Sequence, residues 1–325
     1  ESGRQMHAGK KHTGGGLLTK LGSMASSLKH HGSDDGKARA EASDSKAWGA
    51  SWFSQFSILF SRSVKVRRFD SLSTQKFCQL GAVAFITGLF WWQRGGSNTL
   101  SSARDVTGLL FFESLFMSFQ AMFGALFVFP NEMRMVMKER SSGMYRLSAY
   151  YLARTLSDLP MDCFYPSLFV IIAYFMGGLR LEAWAFFANW ATIILSLLVA
   201  QTLGLLLGAG VDNVKTAQTF ATIFMLTIML IGGYYVSVVP AWIAWVKYLS
   251  FIYYTYNLTL AIELSGRSYV ACTDAGPCVP VPNIQQALGL AKDPNGPVGF
   301  DVGMMFVLLI VGRVAVYFVL DRKTK

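Results

Sequence analysis

The stretch that decides the fold is Ala183–Gly208, AWAFFANWATIILSLLVAQTLGLLLG, which carries no charged side chain. A helix needs about 20 apolar residues to cross the ~30 Å hydrocarbon layer of a bilayer, and this run is longer than that. The same signature recurs before it at Leu72–Trp92, Val106–Phe129 and Thr155–Met176, and after it at Ala217–Val236 and Val298–Leu320. The reading is an all-α membrane protein with six transmembrane helices. A further apolar stretch, Val238–Leu264, is interrupted by Pro240, Lys247 and several tyrosines. It is expected to be a re-entrant outer segment, because irregular backbone at membrane depth must be satisfied by protein or water.

Composition agrees. The 325 residues are 53% hydrophobic and only 15% charged, with a mean hydropathy of +0.38. Soluble domains carry about 25% charge. The net charge of +10 invites a nucleic-acid reading, but the positions of the charges answer it. Residues 1–76, the 131–154 loop, Lys215 and the C-terminal tail hold 22 of the 29 Lys and Arg residues. The opposite side holds Arg94, Arg104, Arg180, Lys247, Arg267 and Lys292, and Arg313 is left inside the last span. The positive-inside rule then places both termini and the 131–154 loop in the cytoplasm. Topology explains the charge, and no nucleic-acid partner is expected.

Residues 1–46 are rich in Gly, Ser, Lys and His and cannot bury a core, so they are expected to be a disordered linker before a membrane domain at 47–325. The chain opens on Glu1 without a signal-peptide pattern, as an internal piece of a longer protein would. In Ala47–Arg68, Trp48, Trp52, Phe56, Leu59 and Phe60 share a helical face, and Arg62, Lys65, Arg67 and Arg68 follow. That pattern predicts an amphipathic helix lying in the membrane interface among lipids. Four cysteines are too few for a disulfide scaffold. Cys272 and Cys278 flank a short outer loop, where an oxidising environment favours a disulfide between them.

Chemistry-bearing motifs are sparse. Gly3 to Lys11 imitates a phosphate loop, but one residue too many separates its glycines and Lys11 stands where Ser or Thr would hold magnesium. No other nucleotide-binding motif is present, so this chain by itself is not expected to hydrolyse ATP. In the second span Glu113, Met117, Gln120 and Gly124 fall on one helical face, beside a phenylalanine file at Phe112, Phe116, Phe119 and Phe123. Glu113 lies about 12 Å below the outer end at the usual helical rise. A carboxylate inside a span usually faces protein or a water-filled cavity; the other reading has it reaching outward to water. In the fifth span Gln218, Thr222, Met225, Met229 and Gly232 share a face. Methionine suits a site for varied apolar ligands, and equally suits ordinary packing. Asp158 and Asp162 begin the third span as structural carboxylates at a helix N-terminus, with Arg154 near enough to pair.

The 131–160 segment is more specific. It contains Glu139-Arg-Ser-Ser-Gly-Met-Tyr-Arg-Leu-Ser148, then Leu152-Ala-Arg-Thr-Leu-Ser-Asp-Leu-Pro160. Together with Tyr174-Phe-Met-Gly-Gly-Leu-Arg180, Gly232-Gly-Tyr-Tyr-Val236 and Trp245-Val-Lys-Tyr-Leu-Ser250, it resembles the G subfamily of ABC transporters, above all plant-type half-transporters. The resemblance runs from about Trp52 to the C-terminus. It implies an ABC-2 type membrane domain whose nucleotide-binding domain, the site of ATP and Mg, is absent from this chain. It implies an exporter of apolar or amphipathic molecules (lipid, sterol, terpenoid or hormone-like) at the plasma membrane. It also implies partnership with a second half-transporter, as homo- or heterodimer. Glu132, Arg134, Lys138, Glu139, Arg140, Tyr145 and Arg146 fall in the family's coupling helix, which meets the ATPase. The family's cargo cavity maps to Phe116, Met117, Gln120, Thr222, Met225 and Met229, to which the span periodicities add Phe112, Glu113 and Phe123. Tyr234 and Tyr235 occupy its outer valve, where many relatives carry apolar pairs.

A polytopic membrane enzyme and a passive channel are the alternatives. No histidine follows His31, which excludes histidine-based catalysis and a histidine metal site in the membrane. Neither rings of charge nor a filter motif marks a channel.

Overall fold

The computed structural model describes residues 50–71, 74–211, 213–236, 240–271 and 278–324. The predicted linker at 1–46 and Trp48 lie outside the described residues. Two compact units divide the chain, Glu1–Ser54 and Gln55–Lys325. In the first, the Trp52 and Phe53 rings meet edge to face at 5.3 Å. The second holds the fold.

The helices are α1 (Trp52–Ser71), α2 (Thr74–Phe90), α3 (Leu100–Ser141), α4 (Leu147–Gly177), α5 (Ala183–Gly210), α6 (Val214–Ile231), α7 (Phe251–Leu264), α8 (Ile284–Leu288) and α9 (Gly299–Thr324). A two-residue antiparallel hairpin, β1 (Val270–Ala271) with β2 (Val279–Pro280), and two 3-10 turns, Arg94–Gly96 and Ala244–Leu249, complete the described elements. The protein is an all-α integral membrane fold. Among the described residues five helical stretches are long and apolar enough to cross a bilayer, those of α3, α4, α5, α6 and α9. The sequence predicts six. The remaining predicted span, Leu72–Trp92, contains α2, whose 17 described residues end where Trp91 and Trp92 turn out of the helix, while residues 72 and 73 lie outside the described residues.

α3 and α5 run parallel and closely packed, and they form the spine of the bundle. Gly204 sets their approach: a Cβ there would run into the Met122 carbonyl oxygen and lie 3.1 Å from the Ala125 Cβ. Ser118 and Ser196 hydrogen-bond across the same seam at 3.1 Å. Two apolar clusters flank the spine. The larger joins α3, α5, α6, α7 and α9 through residues such as Leu110, Met122, Met225, Phe251 and Met305. The smaller joins α2, α3, α4 and α5 through Leu80, Met117, Phe169 and Ile193.

α7 falls in the apolar stretch that the sequence reads as re-entrant. It is 14 residues long, about 21 Å at the usual rise, too short to span, and nearly all of it is buried. Ser250 caps it by accepting from the Tyr253 amide. We call the end of the bundle carrying the 131–154 segment the basic end, and the opposite one the hairpin end.

Candidate functional site

The 131–154 segment is not a free-standing helix. α3 continues without a break past Pro130 to Ser141, a short turn follows, and α4 starts at Leu147. Gly143 makes that turn at φ +66°, which a residue without a Cβ adopts without strain. One rod of 42 residues therefore joins the membrane interior to the basic end.

The predicted coupling residues divide between two tasks. Most hold the rod to its neighbours. Glu139 accepts from Arg62 of α1 at 2.9 Å and from the Tyr145 hydroxyl at 2.6 Å. Arg140 donates to Asp321 of α9 at 3.0 Å and to Thr324. Glu132 pairs with Arg154 of α4 at 2.7 Å, and Arg154 also pairs with Asp158, as the sequence reading expects. The Arg146 amide donates to the Gln55 side chain at 3.0 Å. Arg134 and Lys138 instead are exposed and have no ion-pair partner among the described residues. Partial burial works to raise the pKa of Glu139, but the bonds from Arg62 and Tyr145 and the Arg62 charge outweigh it. They hold this carboxylate below its ordinary range. Burial, followed by the Glu139 carboxylate, pushes the Tyr145 hydroxyl upward.

Further along α3, the phenylalanines form two files. Trp91, Phe112, Phe116 and Phe169 are linked by ring contacts at 6.0, 5.9 and 5.3 Å. Phe119, Phe123 and Phe127 follow at 5.8 and 6.1 Å. Glu113 is 1% exposed, and neither carboxylate oxygen has a hydrogen-bond partner among the described residues. Met117 packs with Leu80 and Phe169, while Gln120 is exposed.

On α6, Met225 is fully buried in the larger cluster and Met229 packs against it. Thr222 is half-buried, and its hydroxyl donates back to the Gln218 carbonyl at 2.9 Å. Within this subunit the α3 and α6 residues named from sequence do not line one common cavity. Met117, Gln120 and Phe123 do share a cavity of about 400 Å³, but its other walls are α2, α4 and α5. Lys76, Gln79, Asp162 and Gln201 lie in those walls. The sequence reading passed over Lys76, Gln79 and Gln201 and took Asp162 as purely structural. The available signal was the helical spacing of Asp158, Asp162 and Tyr165, three polar side chains on one face of a span. Gln201 donates to Asp162 at 2.6 Å and accepts from Arg313 at 2.8 Å, which gives the arginine inside the last span a partner.

At the hairpin end, Tyr234 and Tyr235 follow the Gly232-Gly233 turn, where Gly233 has φ +93°. Tyr234 stacks on Phe111 at 4.7 Å, and Tyr235 meets the same ring edge-on at 5.5 Å. Tyr256 of α7 closes this group at 5.3 Å from Phe111. Tyr234 and Tyr235 remain 41% and 58% exposed. Cys272 lies outside the described residues.

Comparison with known proteins adds the following. The profile described as ABC-2 type transporter matches residues 54–264. ABC transporter G family member 14 of Arabidopsis thaliana is 40% identical over 308 residues, 94% of this chain and 46% of that protein. Member 22 of the same family and organism is 45% identical over 230 residues, 70% of this chain and 30% of that protein. Protein white of Drosophila melanogaster is 30% identical over 208 residues, 63% of this chain and 30% of that protein. The chain thus spans less than half the length of these curated relatives.

Proposed function

This chain belongs to the ABC-2 type transporter family, and from that premise we propose that it is the membrane-spanning half of an ATP-driven exporter. Its cargo is apolar or amphipathic: a lipid, sterol, terpenoid or hormone-like molecule. Two half-transporters associate as a homo- or heterodimer in the plasma membrane, with both termini and the basic end in the cytoplasm. Thr74–Phe90 is then the sixth crossing, lengthened by its flanking residues, and α7 with the turn before it is the re-entrant segment.

The observation that carries this reading is α3. A single helix bears Glu132, Glu139 and Arg140 at one end and Phe112, Glu113, Phe116, Met117, Gln120 and Phe123 further along. A push on the basic end is transmitted along a rod rather than lost in a loop. ATP with Mg, held by a nucleotide-binding domain of the full protein or its partner, supplies the energy. Arg134 and Lys138, exposed and without an ion-pair partner among the described residues, are the side chains left to meet that domain. Glu139, Tyr145, Arg146, Arg140 and Glu132 pass the displacement to α1, α9 and α4.

Cargo sits between the α3 face and Thr222, Met225 and Met229 of α6 across the two subunits. Tyr234 and Tyr235 form the outer gate, one that opens by separating stacked rings and carries hydroxyls that an apolar plug would lack. Glu113→Gln or Met229→Ala is expected to change substrate-stimulated ATP hydrolysis by the full-length protein. Unchanged stimulation across several apolar cargoes would remove these residues from the cargo path.

Two observations support the Cys272–Cys278 bond. Val270 opposes Pro280 and Ala271 opposes Val279, so the strands hold the two ends of the outer loop together, and Cys278 is disulfide-bonded. Peptide mapping is expected to recover the two cysteines in one linked peptide that separates on reduction; separate peptides without reductant would exclude the bond.

A further inference from the structure

The cavity bounded by α2, α3, α4 and α5 lies inside one subunit, toward the basic end of the bundle. Its volume of about 400 Å³ is in the range of sites for small organic ligands. Leu80, Met117, Phe123, Met161 and Leu197 supply apolar wall. The polar lining is unevenly committed. Asp158 is held by Arg154, Arg154 is also held by Glu132, and Asp162 accepts from Gln201. Lys76, Gln79 and Gln120 are exposed and make no hydrogen bond or ion pair among the described residues. The lining groups left without a bond are therefore an ammonium and two carboxamides, and the one ion among these three is positive. Lys76 stands in the first turn of α2, where a membrane helix meets the headgroup layer.

We propose that this cavity binds an amphiphile with an anionic head and an apolar tail. Lys76 takes the head, assisted by Gln79 and Gln120, and the tail lies against Met117, Phe123 and Leu197. The site shares Met117, Gln120 and Phe123 with the cargo face of α3 under the exporter reading, but its other walls are α2, α4 and α5, and α6 contributes nothing to it. The shared chemistry is a carboxylate or phosphate on an acyl chain, and it has two sources: a phospholipid of the adjacent leaflet or a free fatty-acid-like molecule.

Gly124 provides the test. It lines the cavity, and a Cβ added there meets nothing within 4 Å. A side chain can therefore start there without displacing a neighbour, and a phenylalanine is expected to take up space in the cavity. The full-length protein in nanodiscs is exposed to a photoreactive fatty acid, the matching fatty alcohol, and a photoreactive phosphatidylserine. The fatty acid is expected to label peptides of α2 to α5, and Gly124→Phe to abolish that labelling. Lys76→Gln is expected to cut fatty-acid labelling about tenfold, as for one lost charge-assisted hydrogen bond, and to leave alcohol labelling unchanged. Phosphatidylserine labelling of the same peptides assigns the occupant to the leaflet; labelling by the fatty acid alone assigns it to a free amphiphile.

Wild-type labelling of Gly124→Phe, or an equal effect of Lys76→Gln on both single-chain probes, overturns the proposal. If Gly124→Phe does not fold, the Lys76→Gln comparison decides alone, because Lys76 is exposed. All of these readouts report binding without transport, so their failure is distinct from failure of the exporter reading.

Discussion

Replacing Gly204 with alanine is expected to lower the thermal transition of the purified protein, and Gly204→Leu to leave almost none of it folded. In most helices such a change would help, because alanine is favoured over glycine by roughly 0.5–1 kcal/mol. At Gly204 the added carbon has nowhere to go. Its nearest neighbour is the Met122 carbonyl oxygen, a backbone atom that cannot rotate away, and the Ala125 Cβ blocks the other side at 3.1 Å. Relief requires α3 and α5 to separate along the seam that carries the Ser118–Ser196 bond. Overpacking costs about 1–3 kcal/mol where side chains can adjust, and here backbone must move. Gly124→Ala is the matched control, since open space surrounds it. It is expected to keep or slightly raise the transition temperature. If the two alanine variants melt alike, the seam does not depend on close approach at Gly204.

Reversing the charge of Arg62 or Glu139 is expected to reduce ATP-dependent transport by the full-length protein about tenfold, while basal ATP hydrolysis persists. The two side chains join α1 to the basic end of α3 at 2.9 Å. An exposed pair contributes only about 0–1 kcal/mol to stability, so simple removal should have a small effect. Reversal differs, because like charges forced together cost several kcal/mol and drive the helices apart. The double variant Arg62→Glu/Glu139→Arg restores the attraction and is expected to recover most of the lost transport. Full recovery is not expected, because the Tyr145 hydroxyl also donates to Glu139 at 2.6 Å and loses that acceptor. Transport in the double variant no better than in either single one would show that this contact takes no part in coupling.

The apolar runs made the membrane class legible, because burying backbone in lipid leaves long helices as the simplest solution and writes them into sequence as uninterrupted apolar stretches. Ala183–Gly208 is found within α5, and the 155–176 run within α4. The charged 131–154 segment was likewise recognisable as an element apart. Its continuity with α3 was not, since Pro130 and the change of composition read as a boundary although the helix passes through both. The sixth predicted crossing falls on α2, whose described helix ends at Phe90 because Trp91 and Trp92 turn away from the axis.

The candidate site was less legible. Periodicity put Met117, Gln120 and Gly124 on one face of α3, and all three do line a cavity. The residues facing them on other helices are separated by tens of positions, and each is a single polar residue in an apolar run. Nothing local distinguishes Gln201, which joins Asp162 to Arg313, from a glutamine turned elsewhere. Met225, named from sequence for the cargo path, is fully buried within the single subunit.

The sequence alone determined the membrane class, the family resemblance and which helix faces carry unusual chemistry, because these follow from composition and from the helical repeat. Only the tertiary structure decided which faces meet. Parallel packing of α3 on α5 at Gly204 sets the depth of one helix against the other, and that offset, which no single segment encodes, brings Lys76, Gln120, Asp162 and Gln201 around one space.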